Sequence, residues 1–168
     1  GDGTIHYYRN DGGTFNKQTG TSNPFNGIDV GISSTPTLGD IDGDGDLDAF
    51  IGENSGTIRY YRNDGGIFNE QTGTSNPLNG VDVGFLSTPT LSDIDSDGDL
   101  DAFIGEMKGA IYYYQNDGGT FTPQTGTNNP LNDVGVGTWE DQSAPTLGDI
   151  DGDGDLDALI GVYNGTIF

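Results

Sequence analysis

One nine-residue stretch is written three times in this chain: Asp40-Ile-Asp-Gly-Asp-Gly-Asp-Leu-Asp48, Asp93-Ile-Asp-Ser-Asp-Gly-Asp-Leu-Asp101 and Asp149-Ile-Asp-Gly-Asp-Gly-Asp-Leu-Asp157. Each copy puts carboxylates at positions 1, 3, 5, 7 and 9 and glycine at position 6. Like charges this close repel unless a cation sits among them, and no apolar core accepts them bare. The copies are separated by 53 residues (Asp40 to Asp93) and 56 residues (Asp93 to Asp149). A second motif keeps the same beat: Gly3-Thr-Ile-His-Tyr-Tyr-Arg-Asn-Asp-Gly-Gly13 returns from Gly56 and from Gly109, and its opening returns as Gly165-Thr-Ile-Phe168. A period near 50 with several short strands per unit is the spacing of propeller blades, which bury their faces by stacking on neighbours.

The pattern within one unit predicts an all-β fold, each blade carrying four antiparallel strands. Strand A is Thr35–Gly39, with Pro36 near its start, where a missing donor is tolerated; the acidic loop follows. Strand B, Leu47–Gly52, is an almost continuous apolar run of the kind buried on both faces. Strand C, Thr57–Arg62, alternates, so that Ile58 and Tyr60 share one face and Arg59 and Tyr61 the other. Asn63–Gly66 is the hairpin turn to strand D, about Ile67–Gln71, and Thr72–Gly80 has the Gly, Asn and Pro of a loop. The single repeat domain, 1–168, then divides into strands C and D of a split blade (1–33), two whole blades (34–86 and 87–142) and strands A and B with the first residues of C (143–168). Three blades are too few for a ring, since propellers run from 4 to 8. Either further copies lie outside this chain, or protomers complete one another, closing a ring or extending a head-to-tail fibre.

The chemistry of the acidic loop points to calcium, which takes six to eight hard oxygens in flexible geometry. A tight loop offers side chains from positions 1, 3, 5 and 9 and a carbonyl from position 7. That assigns Asp40, Asp42, Asp44 and Asp48 with Asp46; Asp93, Asp95, Asp97 and Asp101 with Asp99; and Asp149, Asp151, Asp153 and Asp157 with Asp155. An oxygen-only set argues against zinc and copper, and magnesium prefers to keep its water. An EF-hand would need a bidentate Glu at position 12, and counting from Asp40 that position is Ile51. Three structural Ca²⁺ sites are therefore expected.

These residues carry a family resemblance. The three acidic nonapeptides are each preceded by a Pro-containing strand (Thr35-Pro-Thr-Leu, Thr88-Pro-Thr-Leu, Ala144-Pro-Thr-Leu) and followed by an apolar-apolar-Gly end (Phe50-Ile-Gly, Phe103-Ile-Gly, Leu159-Ile-Gly). The unit resembles the FG-GAP/VCBS-type repeat, the calcium-binding blade also found in the propeller of integrin α chains. The resemblance implies a calcium-stapled β-propeller, usually extracellular or at the cell surface, used for adhesion or recognition of proteins and glycans. The Gly-Ala-Pro of the family is replaced here by Ser-Thr-Pro or Ser-Ala-Pro.

Composition narrows the function classes. The formal charge is −22, with fifteen of the 27 acidic residues inside the three nonapeptides, and only five Lys and Arg stand against them. That excludes a basic stripe for nucleic acid or anionic membranes, and no apolar run reaches the roughly 18 residues of a membrane span. The chain has no cysteine and a single histidine, His6, so neither a thiol nucleophile nor a His-based triad is available. Glu53 and Glu106 follow strand B in two units but Val162 replaces them in the third, which argues against a repeated catalytic role. A non-enzymatic binding or adhesion module is the favoured reading. A self-assembling block, whose terminal blade parts complete one another between copies, is the alternative, and a glycan-binding lectin or an enzyme scaffold follows. Three extra residues around Gly137–Gln142 bring the only tryptophan, and Trp139, Glu140 and Asp141 are the candidate recognition residues, since inserted loops commonly carry function. The strand C tyrosines are read first as packing between blades and only second as a sugar platform.

Overall fold

The sheets form where apolar alternation and glycine-rich turns place them. The computed structural model describes residues 3–134 and 142–168. Strands β1 (Tyr8–Asp11) and β2 (Thr14–Lys17) form a hairpin. Strands β3 (Thr35–Gly39), β4 (Asp48–Gly52), β5 (Ile58–Asp64) and β6 (Ile67–Gln71) make a four-stranded antiparallel sheet in sequence order. Strands β7 (Thr88–Ser92), β8 (Asp101–Gly105), β9 (Ile111–Asp117) and β10 (Thr120–Gln124) repeat it, and β11 (Ser143–Gly148) pairs with β12 (Asp157–Val162). These are propeller-like blades: among the described residues two sheets have four strands and two have two.

The third strand of each complete sheet runs two residues further than its pattern suggests, to Asp64 rather than Arg62. The turn is only Gly65-Gly66, both at positive φ (+63° and +91°), which is what a two-residue hairpin with the twist of its strands requires. Asn63 Oδ1 accepts the Gly66 N–H at 2.7 Å and holds that turn shut. Each loop leading to the next sheet contains a short 3₁₀ turn, Gly20–Ser22, Gly73–Ser75 and Gly126–Asn128.

The cores lie between sheets, not within them. Strand β4 is buried on both faces. Ala49 and Ile51 pack with Ile5, Phe25, Val30 and Tyr61 towards the β1–β2 hairpin. Phe50 points the other way and joins Ile58, Tyr60, Leu78 and Val83 against Ala102 and Ile104 of β8. The pattern steps forward once more, with Phe103, Ile111 and Tyr113 meeting Ile160 and Val162 of β12. Both tyrosines of the strand C pair are spent this way: Tyr60 is 4% exposed on one side of its sheet and Tyr61 3% exposed on the other. Phe103 and Tyr113 stack with ring centroids 4.5 Å apart. Burying a side chain such as Phe50 or Phe103 completely contributes about 2–3 kcal/mol each.

The sheets approach one another most closely at a serine–glycine contact. A Cβ on Gly52 would lie 2.2 Å from the Ser87 carbonyl oxygen, and one on Gly105 would lie 2.2 Å from that of Ser143. Ser87 is fully buried; its hydroxyl accepts the Glu53 N–H at 2.9 Å and donates to the Thr57 carbonyl at 2.9 Å. Ser143 does the same with the Glu106 N–H (3.1 Å) and the Ala110 carbonyl (3.0 Å). Thr35 and Thr88 hydroxyls donate back to the Ser87 and Ser143 carbonyls, both at 2.6 Å. The Ser-Thr-Pro that replaces Gly-Ala-Pro is thus a polar clasp between neighbouring blades, and its buried groups are all paired, as buried polar groups must be.

Candidate metal centres

Each acidic nonapeptide spans the turn from the first to the second strand of its sheet, β3 to β4, β7 to β8 and β11 to β12. The loop folds back because two positions take left-handed backbone: glycine at position 6 (Gly45, Gly98, Gly154, φ +93° to +98°) and position 4, held by Gly43, Ser96 or Gly152. Ser96 adopts φ +62° there, a conformation that costs an L-residue about 1 kcal/mol. Folded in this way, positions 1, 3 and 5 converge. Carboxylate oxygens of Asp40, Asp42 and Asp44 lie within 4.8 Å of one another, as do those of Asp93, Asp95 and Asp97 and those of Asp149, Asp151 and Asp153.

Loop N–H groups support this convergence. Asp40 accepts from Gly43 N at 2.9 Å and Gly45 N at 3.0 Å, and Asp44 accepts from Asp46 N at 2.9 Å. The third loop repeats it, Asp149 taking Gly152 N at 2.7 Å and Gly154 N at 3.1 Å. In the second loop Asp93 takes Asp97 N (3.1 Å) and Gly98 N (3.0 Å), and Gln115 donates to Asp95 at 2.6 Å. Three gathered carboxylates fit a hard divalent ion that binds oxygen. Loss of solvent at its place in the loop, then the negative charge of Asp48, push Asp42 above the usual carboxylate range.

The other two positions of the nonapeptide do something that residue counting did not reveal. The Asp46 side chain reaches across to the hairpin of its own sheet and accepts the Gly65 N–H at 2.8 Å; Asp99 does the same with Gly118 at 2.7 Å. With its carboxylate turned towards the hairpin, position 7 can offer its backbone carbonyl oxygen to an ion. Position 9 is fully buried in the complete sheets. Asp48 accepts from Asn63 N (2.8 Å), the Tyr60 hydroxyl (2.9 Å) and Ile41 N (3.2 Å). Asp101 repeats the set with Asn116 N (2.7 Å), Tyr113 hydroxyl (3.3 Å) and Ile94 N (3.2 Å). Burial raises Asp101 above the ordinary aspartate value despite these donors. Burial, then the bonded carboxylate, raises Tyr60; burial and the charge of Asp101 raise Tyr113. Both phenols stay protonated and donate. The acidic loop is therefore wired into strand C, through Tyr60 and Asn63, as well as into strands A and B. The recurrence of Tyr-Tyr-x-Asn-Asp-Gly-Gly was the signal that would have identified those partners.

A cleft of about 790 Å³ separates the first acidic loop from the second, lined by Asp40, Asp42, Tyr60, Arg62, Gln71 and Asp99 among others. Trp139, Glu140 and Asp141 lie outside the described residues. His6 is exposed.

The family model described as FG-GAP-like repeat matches twice, over residues 40–103 and 93–160. The chain belongs to the FG-GAP-like repeat family. Both matches begin at position 1 of an acidic loop, run through the sheet that follows and end in the second strand of the next sheet, so each takes in two acidic loops. No curated protein matches the chain. Three groups of aspartates capable of holding a metal ion, one per FG-GAP loop, make the chain compatible with a calcium-binding repeat module.

Proposed function

We propose that this chain is a non-enzymatic extracellular module for adhesion or recognition whose blades are stapled by calcium. Asp40, Asp42 and Asp44, with the Asp46 carbonyl, would hold the first ion, and the corresponding residues of the other loops the second and third. The bound ion supplies positive charge among carboxylates that otherwise repel. The protein supplies the rest: Asp46 and Asp48 carry the loop's position to the Gly65 turn, Asn63 and Tyr60. The observation that carries this reading is that threefold repetition of converged carboxylates backed by loop N–H groups. Ions held at structural depth in exposed acidic loops suit a calcium-rich medium, because extracellular modules bind with Kd near 10⁻⁴–10⁻³ M. Among the described residues no helix is long and apolar enough to cross a membrane. The ligand in this reading is a protein or a glycan, and the cleft between adjacent loops is where a polar one fits best.

Thermal unfolding in calcium and in chelator tests it. Saturating each site a hundredfold above Kd is worth about 2.7 kcal/mol, so chelation should lower Tm by about 15 °C or more for a chain of this size. Magnesium should restore only part of that loss. Identical melting curves in calcium and EDTA would sink the proposal.

A further inference from the structure

The two four-stranded sheets carry nearly the same acidic loop but differ at one position of strand C. Arg62 of β5 and Gln115 of β9 hold the same place in the repeat, two residues after Tyr60 and Tyr113 and so on the same face of the strand. Those tyrosines donate to the last aspartate of the loop, Asp48 and Asp101. The next side chain on that face is therefore carried towards the carboxylates gathered in the loop, and there the two blades diverge.

In the second blade Gln115 is half-buried, and its Nε2 donates to Asp95 at 2.6 Å. Its Oε1 accepts from Gln124 Nε2 on β10 at 3.2 Å, so the amide is held at both ends. A carboxylate only accepts, which sets the direction of the amide. Asp95 is position 3 of its loop and one of the three converged carboxylates. In the first blade other contacts replace these. Gln71, at the place of Gln124, donates to the Asn69 carbonyl at 3.1 Å. Arg62 is exposed and turns to Asp64 at 3.0 Å. Arg62 nevertheless lines one cleft with Asp40 and Asp42, and its positive charge acts on Asp42.

The loop backbones follow the same division. In the first loop position 3 takes a backbone donor, Asp44 N to Asp42 at 3.3 Å, and the third loop matches it with Asp153 N to Asp151 at 3.2 Å. In the second loop the corresponding N–H, that of Asp97, goes to Asp93 at 3.1 Å, and the Gln115 side chain serves Asp95 instead. A short bond from a braced side chain orients a ligand carboxylate more firmly than a long backbone one. Such outer partners change metal affinity by about 10–100-fold. An arginine at the same place acts in the opposite sense. It sets a positive charge beside a site whose ion is also positive, and it attracts the carboxylate that the ion needs.

We propose that this one repeat position, Arg62 in the first blade and Gln115 in the next, sets the calcium affinities of their loops apart, so that the Asp93 loop fills before the Asp40 loop. Both are positioning residues, acting through Asp42 and Asp95. The inference rests on the reading of the loops as calcium sites and adds an order of filling to it. The cleft between the loops has Asp40 and Asp42 on one side and Asp99 on the other. Between the two midpoints only the Asp99 side is neutralised, so the charge of the cleft follows the calcium concentration.

Calcium titration of the isotope-labelled full chain, followed by the amide resonances of Gly45 and Gly98, reads the two loops separately, because those N–H groups are bonded to Asp40 and Asp93. The Gly98 midpoint is expected at a calcium concentration roughly tenfold below that of Gly45. Arg62→Gln, at an exposed position, should lower the Gly45 midpoint roughly tenfold and leave Gly98 in place. Gln115→Arg should raise the Gly98 midpoint roughly tenfold, and the double exchange should reverse the order of filling. Gln115→Met keeps the length of the side chain without its donor and should weaken the second loop alone. Added salt should shrink the effect of Arg62→Gln, which is one of charge, and spare that of Gln115→Met; damage to the fold would not divide in this way. Coincident midpoints in the parent, or a Gly45 midpoint that Arg62→Gln does not move, overturn the order of filling and leave the calcium sites standing. Glycine amides that do not respond to calcium at all remove the calcium reading itself.

Discussion

The complete sheets and the half-sheets of this chain have nearly the same letters and very different surroundings. Asp101 and Asp157 close the same nonapeptide, yet Asp101 is buried under a tyrosine and an asparagine and Asp157 stands in solvent. Phe103 stacks on Tyr113 within a core, while Leu159, one repeat later, is exposed. The difference teaches that a blade residue is buried by its neighbours in the stack and not by its own motif. In a repeat array, stability lies largely at the interfaces between units.

Three substitutions in matched pairs would break or sharpen that comparison, each measured by urea unfolding in calcium at concentrations that keep the chain monomeric. The largest contrast is Phe103→Ala against Leu159→Ala. The first opens a cavity in a closed core and should cost about 4 kcal/mol; the second should change little. Next is Asp101→Ala against Asp157→Ala. Removing Asp101 strands a buried hydroxyl and two N–H groups, worth about 3 kcal/mol together, whereas Asp157 has one such partner. The smallest is Gly105→Ala against Gly161→Ala. The first forces a methyl onto the Ser143 carbonyl and should cost about 2 kcal/mol; the second has room and should be close to neutral. Equal losses within any pair would show that position in the motif, and not in the stack, sets the energy.

Much of this was readable in the letters. The period of 53 and 56 residues, strands A and D to the residue, the acidic turn between A and B and the packing role of Tyr60, Tyr61 and Tyr113 follow from local rules, because alternation and glycine turns act over a few residues; Tyr7, Tyr8 and Tyr112, read the same way, are exposed. Strand C was underestimated by two residues because Asn63-Asp64 reads as turn-forming, yet the pair of glycines alone makes the turn. What was hidden depends on contacts far apart in sequence. Tyr60 looks like any core aromatic until Asp48, twelve residues away, needs its hydroxyl. Ser87 looks like a mild departure from Gly-Ala-Pro until the preceding sheet presents Glu53 and Thr57 to its hydroxyl, 34 and 30 residues away. The spacing reads positions 1, 3, 5 and 9, with the carbonyl of position 7, as the ligand set; positions 1, 3 and 5 do converge, whereas the bonds by which Asp46 and Asp48 tie the loop to strand C and its turn could not be read from the letters.

The central claim is that the acidic loops bind calcium and thereby hold the blades. Isothermal titration calorimetry of the chelated chain with calcium tests it most directly. The account predicts three ions per chain, one for each aspartate group. A titration with no saturable heat, confirmed by equilibrium dialysis, would contradict it.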